Sequence, residues 1–342
     1  MDRRQFLIAG SALAATTSLA GAARAQQAVT ARIGFIPVVG TAPFFVANGE
    51  GWLKQGGIDV AVTVFESGPN MIQALASGTI DVYVAGVAPL AVARSRGIDV
   101  RVVASTAIGE NVVVAAPALA KFFTSGTAPA AAFKAFRAAT GKAARLATQP
   151  PGSVPNTTLQ HWLWEVAKAD KADIEIVAMG IDATQQAILA GAVDGGSVRE
   201  PALTIIQDRN PQIKLIAEGE EVFPGQPGTV VAVSGAFATK NPDAVQTIVA
   251  GLIRGADLLT KTPEKAVPHV GAALGKGIVD PALIRKALTS PASKFQIDPA
   301  RIIEPARAMQ AYQVKLGSLE KELPFDGLFE TQYFEKAVKA GG

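Results

Sequence analysis

The sequence predicts an α/β protein of two lobes, each a mostly parallel sheet flanked by helices, with extra helices appended at the C-terminal end. Two observations predict it. The first is an internal repeat. Gly40-Thr41-Ala42-Pro43, Gly68 and Gln73-Ala74-Leu75-Ala76-Ser77-Gly78-Thr79-Ile80-Asp81 return as Gly152-Ser153-Val154-Pro155, Gly180 and Gln186-Ala187-Ile188-Leu189-Ala190-Gly191-Ala192-Val193-Asp194, at an offset of 112 or 113 residues. Copies held in register over about forty residues imply lobes of similar topology whose matching loops face each other across a cleft. The second is the alternation of β-branched runs with helical stretches from Arg32 onward, the pattern of strand–helix units feeding parallel sheets.

Residues 32–36 read as the first strand and 42–54 as the helix after it. Residues 58–65 are β-branched, with glycines upstream, and read as the second strand. Ser67 is placed as the N-cap of a helix whose first turn accepts Pro69, and Gly78 ends that helix. A strand over 81–85, a short helix over 89–96 and a strand over 99–105 follow. Pro117, Gly126 and Pro129 interrupt the next stretch, and the crossing into the second lobe is placed just before it. Lobe 1 is thus expected to comprise 26–115 and 225–342, and lobe 2 to comprise 116–224.

Lobe 2 repeats the unit with strands over 144–148, 174–178, 193–198 and 213–216, separated by helices over 154–169, 183–190 and 200–208. The breaker cluster Phe223-Pro224-Gly225-Gln226-Pro227-Gly228 marks a return crossing, after which 229–233 rejoin lobe 1. Asn241-Pro242, Thr262-Pro263, Asp280-Pro281 and Asp298-Pro299 each place a capping side chain before a proline at the first helical position. The helices they open are expected to pack on the outside of lobe 1.

Residues 1–25 read as an export signal. Arg3-Arg4 precedes Phe6-Leu7, an uncharged run follows, and Ala23-Arg24-Ala25 supplies a small-x-small cleavage site. Paired arginines and a weakly apolar core resemble a twin-arginine signal, while Asp2 and Ile8 leave ordinary Sec export open. Cleavage after Ala25 is expected, with the mature protein in the periplasm. Its removal leaves 29 basic and 28 acidic residues, a near-neutral chain with no basic field for nucleic acid or anionic membrane. The absence of cysteine excludes disulfides, thiolate metal sites, cysteine nucleophiles and a lipid-attachment cysteine.

In each repeat the Gly-Thr/Ser-x-Pro element follows a strand and opens a helix, and ligands of open α/β sheets sit beyond the carboxyl ends of the strands. Free backbone N–H groups and the helix dipole there favour anions or carbonyl oxygens. Gly40, Thr41 and Ala42, with Gly152, Ser153 and Val154, are therefore the first candidate ligand-binding residues. Ordinary capping accounts for either element alone. The second candidates are Glu66, Ser67, Gly68 and Asn70 after the second strand, and Gly86 and Val87 after the third, facing Gly180, Asp182, Arg199 and Glu200 of the other lobe. Arg199 suits a ligand anion and Glu200 a ligand amine; a surface arginine beside a helix-capping glutamate explains the same pair without a ligand. Phe35, Phe44, Phe45, Trp162 and Trp164 lie near these loops in sequence, most of them expected in the core. His161 and His269 lack metal-ligand spacing, and no nucleophile elbow, phosphate loop or dinucleotide fingerprint occurs, so neither cofactor nor catalytic residue is expected.

Ile33-Gly34-Phe35-Ile36-Pro37 with Ala42-Pro43-Phe44-Phe45-Val46-Ala47, the block from Glu66-Ser67-Gly68 to Ala85-Gly86, Pro151-Gly152-Ser153 and Arg199-Glu200-Pro201 make the chain resemble the periplasmic solute-binding proteins of ABC transporters, in the nitrate, sulfonate, taurine and thiamine-precursor class. The resemblance runs through nearly the whole mature chain. It implies a two-lobed periplasmic-binding-protein fold of type II-like form and a monomer that closes on a small anionic or zwitterionic solute. It also implies docking on an ABC permease driven by an ATPase. Arg199 departs from the class, which often carries an aromatic before the Glu-Pro turn. An enzyme such as a small-molecule lyase or synthase on the same scaffold, and a binding protein serving a sensor or chemoreceptor, are the competing readings.

Overall fold

The computed structural model describes residues 28–274 and 279–341; the expected export signal and its cleavage site lie outside them. The chain builds two five-stranded sheets. Lobe 1 contains β1 (Val29–Phe35), β2 (Ile58–Val64), β3 (Val82–Gly86) and β4 (Val100–Ser105). Lobe 2 contains β5 (Val112–Ala115), β6 (Ala144–Thr148), β7 (Ile174–Ala178), β8 (Gly195–Val198) and β9 (Lys214–Ala217). The return strand β10 (Thr229–Ser234) completes lobe 1. The orders are β2-β1-β3-β10-β4 and β7-β6-β8-β5-β9, which are the same topology. In each sheet one strand that arrives from the other lobe runs antiparallel between the third and fourth strands of the repeat.

The repeat extends to hydrogen-bond register. Ile33 lies opposite Val82 across β1 and β3, and Leu146 lies opposite Gly195 across β6 and β8. The aspartate that ends each repeat motif clamps an arginine of the first strand of that repeat, β1 or β6. Asp81 accepts from Arg32 N at 3.1 Å and Nε at 2.7 Å, and Asp194 accepts from Arg145 N at 2.8 Å. Asp81 N and Asp194 N in turn donate to the carbonyls of Arg32 and Arg145.

One boundary differs from expectation. Lobe 1 was expected to continue to residue 115, but β5 pairs along its whole length with β8, Val112 opposite Val198 and Ala115 opposite Gly195. The chain has therefore crossed between the lobes before Val112. The expected helix over 42–54 divides into Ala42–Gly49 and Trp52–Gln55, because Gly51 turns into the left-handed region at φ 76°. The expected helix over 154–169 is α-helical over Val154–His161 and continues as a π turn over Trp162–Val166.

Apolar clusters lie on both faces of each sheet. Among the C-terminal helices, Pro242–Lys261 and Gln332–Lys339 pack on lobe 1. Pro242–Lys261 lies across Ala42–Gly49, and only a glycine at 255 lets the backbones approach, since a side chain there would collide with the Pro43 carbonyl. Each fully buried Leu, Ile or Phe contributes about 1.5–3 kcal/mol relative to exposure. Ile303–Lys315 bridges both lobes: Gln313 donates to the Ala88 carbonyl at 3.2 Å, and the Tyr312 hydroxyl donates to the Gln160 carbonyl at 3.1 Å.

Candidate functional site

The strand-end loops of the two lobes are pressed together. Val39 N donates to the Glu200 carbonyl at 2.8 Å, and Glu66 Oε2 accepts from Asp182 N at 3.4 Å. A Cβ built on Gly86 would come within 2.6 Å of the Val154 side chain, so these two loops are in close van der Waals contact. Val154 is accordingly buried in an apolar cluster shared with Val87 and Ala88 of lobe 1.

Thr41 and Ser153 are both buried, and both hydroxyls are used locally. Thr41 donates to the Ile36 carbonyl at 3.0 Å, and Ser153 caps its helix by accepting from Asn156 N at 3.3 Å. Gly40 and Ala42 are enclosed beside Thr41, and Gly152 turns at φ 81° ahead of Ser153. Ser67 caps its helix by accepting from Asn70 N at 3.4 Å, Gly68 lies under the Tyr83 hydroxyl, and Asn70 faces solvent. Phe35, Phe44 and Phe45 form a buried edge-to-face cluster, Trp162 is fully buried, and Trp164 packs on the lobe 2 core beneath Lys171.

Beside this closed contact lies a cavity of 470 Å³. Lobe 1 supplies Pro37 and Val38 from the loop after β1, with Leu274 from the end of the helix Pro263–Leu274 and Val279 from just before the helix Pro281–Leu288. Lobe 2 supplies Gln149 after β6, Asp182 and Thr184 at the helix after β7, and Ser197, Arg199 and Glu200 at the end of β8. Every one of these lobe 2 residues lies at or just beyond a strand's carboxyl end, where helix starts and free peptide groups gather. Of the residues singled out for ligand binding, Arg199 and Glu200 line the cavity, together with Asp182 opposite Glu66. Glu66 reaches its rim through Asp182. The Gly40-Thr41-Ala42, Ser67-Gly68-Asn70, Gly86-Val87 and Gly152-Ser153-Val154 elements do not line the cavity, and of these Gly86 and Val154 meet across the interlobe contact.

Residues that sequence reasoning passed over complete the site. Glu110, on the first crossing, is buried and pairs with Arg199 Nη1 at 3.2 Å, with side-chain exposures of 4% and 3%. The Thr229 hydroxyl donates to the same carboxylate oxygen at 2.7 Å. Ser197 Oγ and Arg199 Nη2 are buried without a partner among the described residues, as is Glu110 Oε2. Gln149 follows a strand directly and was legible by the strand-end rule; Ser197 sits inside a strand and Glu110 in a short link, with no local signal. Glu200 is tied back to its own helix, its carboxylate accepting from Thr204 N and from the Thr204 hydroxyl, both at 3.0 Å. Burial pushes the Glu200 carboxyl above its usual range, opposed by hydrogen bonds from Ser290 and Thr204. Among the described residues no group of His, Asp or Glu is arranged to hold a metal ion.

The chain matches the NMT1-like family over residues 24–269. A Brucella abortus (strain 2308) protein, named only as a candidate binding protein, is 26% identical over 271 residues, covering 78% of this chain and 77% of the relative. The fold is that of periplasmic binding proteins. The periplasmic nitrate-binding protein NrtA from Synechocystis PCC 6803 superposes with a TM-score of 0.78 at 15% identity, covering 92% of this chain and 89% of the other. The alkanesulfonate-binding protein SsuA from Xanthomonas axonopodis pv. citri, solved bound to MOPS, superposes at 0.70 with 21% identity, covering 90% and 99%.

Proposed function

The chain belongs to the NMT1-like family, and from that premise we propose that it is the periplasmic solute-binding component of an ABC import system. In this reading it closes on a small anionic or zwitterionic solute and delivers it to a membrane permease driven by an ATPase. The observation that carries the reading is the cavity at the strand ends of two sheets of one topology, walled by both lobes. A solute held there touches both walls, so its binding favours the closed arrangement by differential affinity. Helix ends contribute only about 0.3–2 kcal/mol each toward a charge, and micromolar binding needs about 8 kcal/mol. Val38, Ile205, Leu274 and Val279 supply the apolar enclosure that makes up the difference.

Thermal unfolding of the mature chain with sulfonates, nitrate, taurine, carboxylates and pyrimidines tests this. A solute at about a hundredfold its Kd adds about 2.7 kcal/mol to native stability and raises Tm accordingly. A panel that leaves Tm unmoved throughout removes small-solute capture.

A further inference from the structure

We propose that Glu110 is a resident counter-ion of the cleft and that it restricts binding to solutes of zero net charge, a specificity that rests on the solute-binding reading above. Arg199 is the single cation among the described residues that line the cavity. Its guanidinium is already paired with Glu110 at 3.2 Å, both side chains nearly sealed from water. Opposite charges this close, in a medium of low dielectric, cancel most of each other's field at a third group. An incoming solute therefore meets a neutral pair in place of a bare positive charge.

Glu110 is fixed there. Thr229 donates to Oε1 at 2.7 Å, and Oε2 fills the space a side chain on Gly40 would take. Gly40 opens the helix-start loop that the sequence marks as the anion cradle of lobe 1. The protein's own carboxylate thus lies against that cradle. Among the described residues the remaining ionisable wall is acidic, with Asp182 exposed at the rim and Glu200 held by Thr204. A simple anion would face these carboxylates against one neutralised arginine.

What the cleft still offers suits a dipolar solute. Arg199 Nη2 and Ser197 Oγ are buried donors without partners among the described residues, fit for an acceptor group, and Asp182 suits an ammonium group. Val38, Ile205, Leu274 and Val279 suit an aliphatic body, and no aromatic side chain lines the cavity among the described residues. The volume of 470 Å³ falls in the range of sites for small organic molecules and far exceeds the need of a four-atom ion.

The test is calorimetric titration of the mature chain and of Glu110→Gln with two matched pairs of probes: ethanesulfonate against taurine, and propionate against β-alanine. The wild-type chain is expected to bind each amino-bearing probe at least about tenfold more tightly than its anionic partner. Glu110→Gln is expected to gain about tenfold or more for the anions, shrinking or inverting the ratio. Equal wild-type affinity within a pair overturns the proposal, as does a ratio unmoved in Glu110→Gln. If Glu110→Gln fails to fold, the wild-type ratios decide, with Glu110→Asp expected to keep them. Silence from both proteins toward all four probes also overturns it, while a thermal shift in the wider panel would leave the solute-binding reading standing.

Discussion

The two lobes share a strand order, a register and an Arg–Asp clamp, yet they contribute unequally to the cleft. Lobe 1 carries the long C-terminal helices and offers the cavity only Pro37 and Val38 from its strand ends. Lobe 2, with the thinner cover, offers the polar wall from Gln149 to Glu200. The third strands show the divergence most directly: β3 carries Val82 and Tyr83 where β8 carries Gly195 and Gly196. Tyr83 is fully buried and donates to the Gly86 carbonyl at 2.8 Å, bracing its own strand end. β8 has no side chain at that position, and Ser197 and Arg199 follow it directly into the cleft. A duplicated topology thus preserves the scaffold while the two copies part ways in chemistry.

Three sets of substitutions sharpen or break this contrast. The largest effect is expected for Gly196→Val, whose side chain would collide with the Ala147 carbonyl. Urea unfolding should show a loss of about 3 kcal/mol. Tyr83→Phe at the equivalent place in lobe 1 should cost only about 1 kcal/mol, one hydrogen bond. Equal costs would mean the two strands are interchangeable.

Next are the paired helix starts. Thr41→Val and Ser153→Ala should each lower stability by about 1 kcal/mol through the lost local bond, with solute affinity changed by less than about threefold. A tenfold loss of affinity from either would move the binding site to these loops, as the sequence pattern alone suggests.

The smallest effect concerns Glu200. Its carboxyl is raised by burial, so the native state binds more protons than the unfolded chain between the ordinary carboxylate pKa and the native one. Stability from this group is full below the ordinary value and is lost as pH rises through that interval. Glu200→Gln removes the titration, and its stability should fall less than that of the wild-type chain between about pH 4 and pH 7. Parallel curves would show that the carboxyl titrates normally.

Much of the scaffold is legible before any coordinates. Ser67, Ser153, Asp280 and Asp298 stand as capping residues in the structure, each accepting a backbone N–H at the start of its helix. Pro242, Pro263 and Pro281 each open a helix. These are local effects of side-chain reach and a fixed φ, and they need no knowledge of distant residues. The strand Val112–Ala115 escaped because its partners lie about eighty residues later, on β8. Of the aromatics near the loops in sequence, Phe35, Phe44, Phe45 and Trp162 turn into the core, as expected of most of them.

The sequence by itself determined two related α/β units, their element order and the strand ends at which a ligand is sought, because periodicity, caps and repeats are written in neighbouring residues. Only the tertiary structure decided which strand ends enclose space. It packed Gly86 onto Val154, opened a cavity beside that contact, and brought Glu110 to Arg199 across 89 residues. The cancellation of that arginine's charge depends on distance through space, and no local pattern along the chain records it.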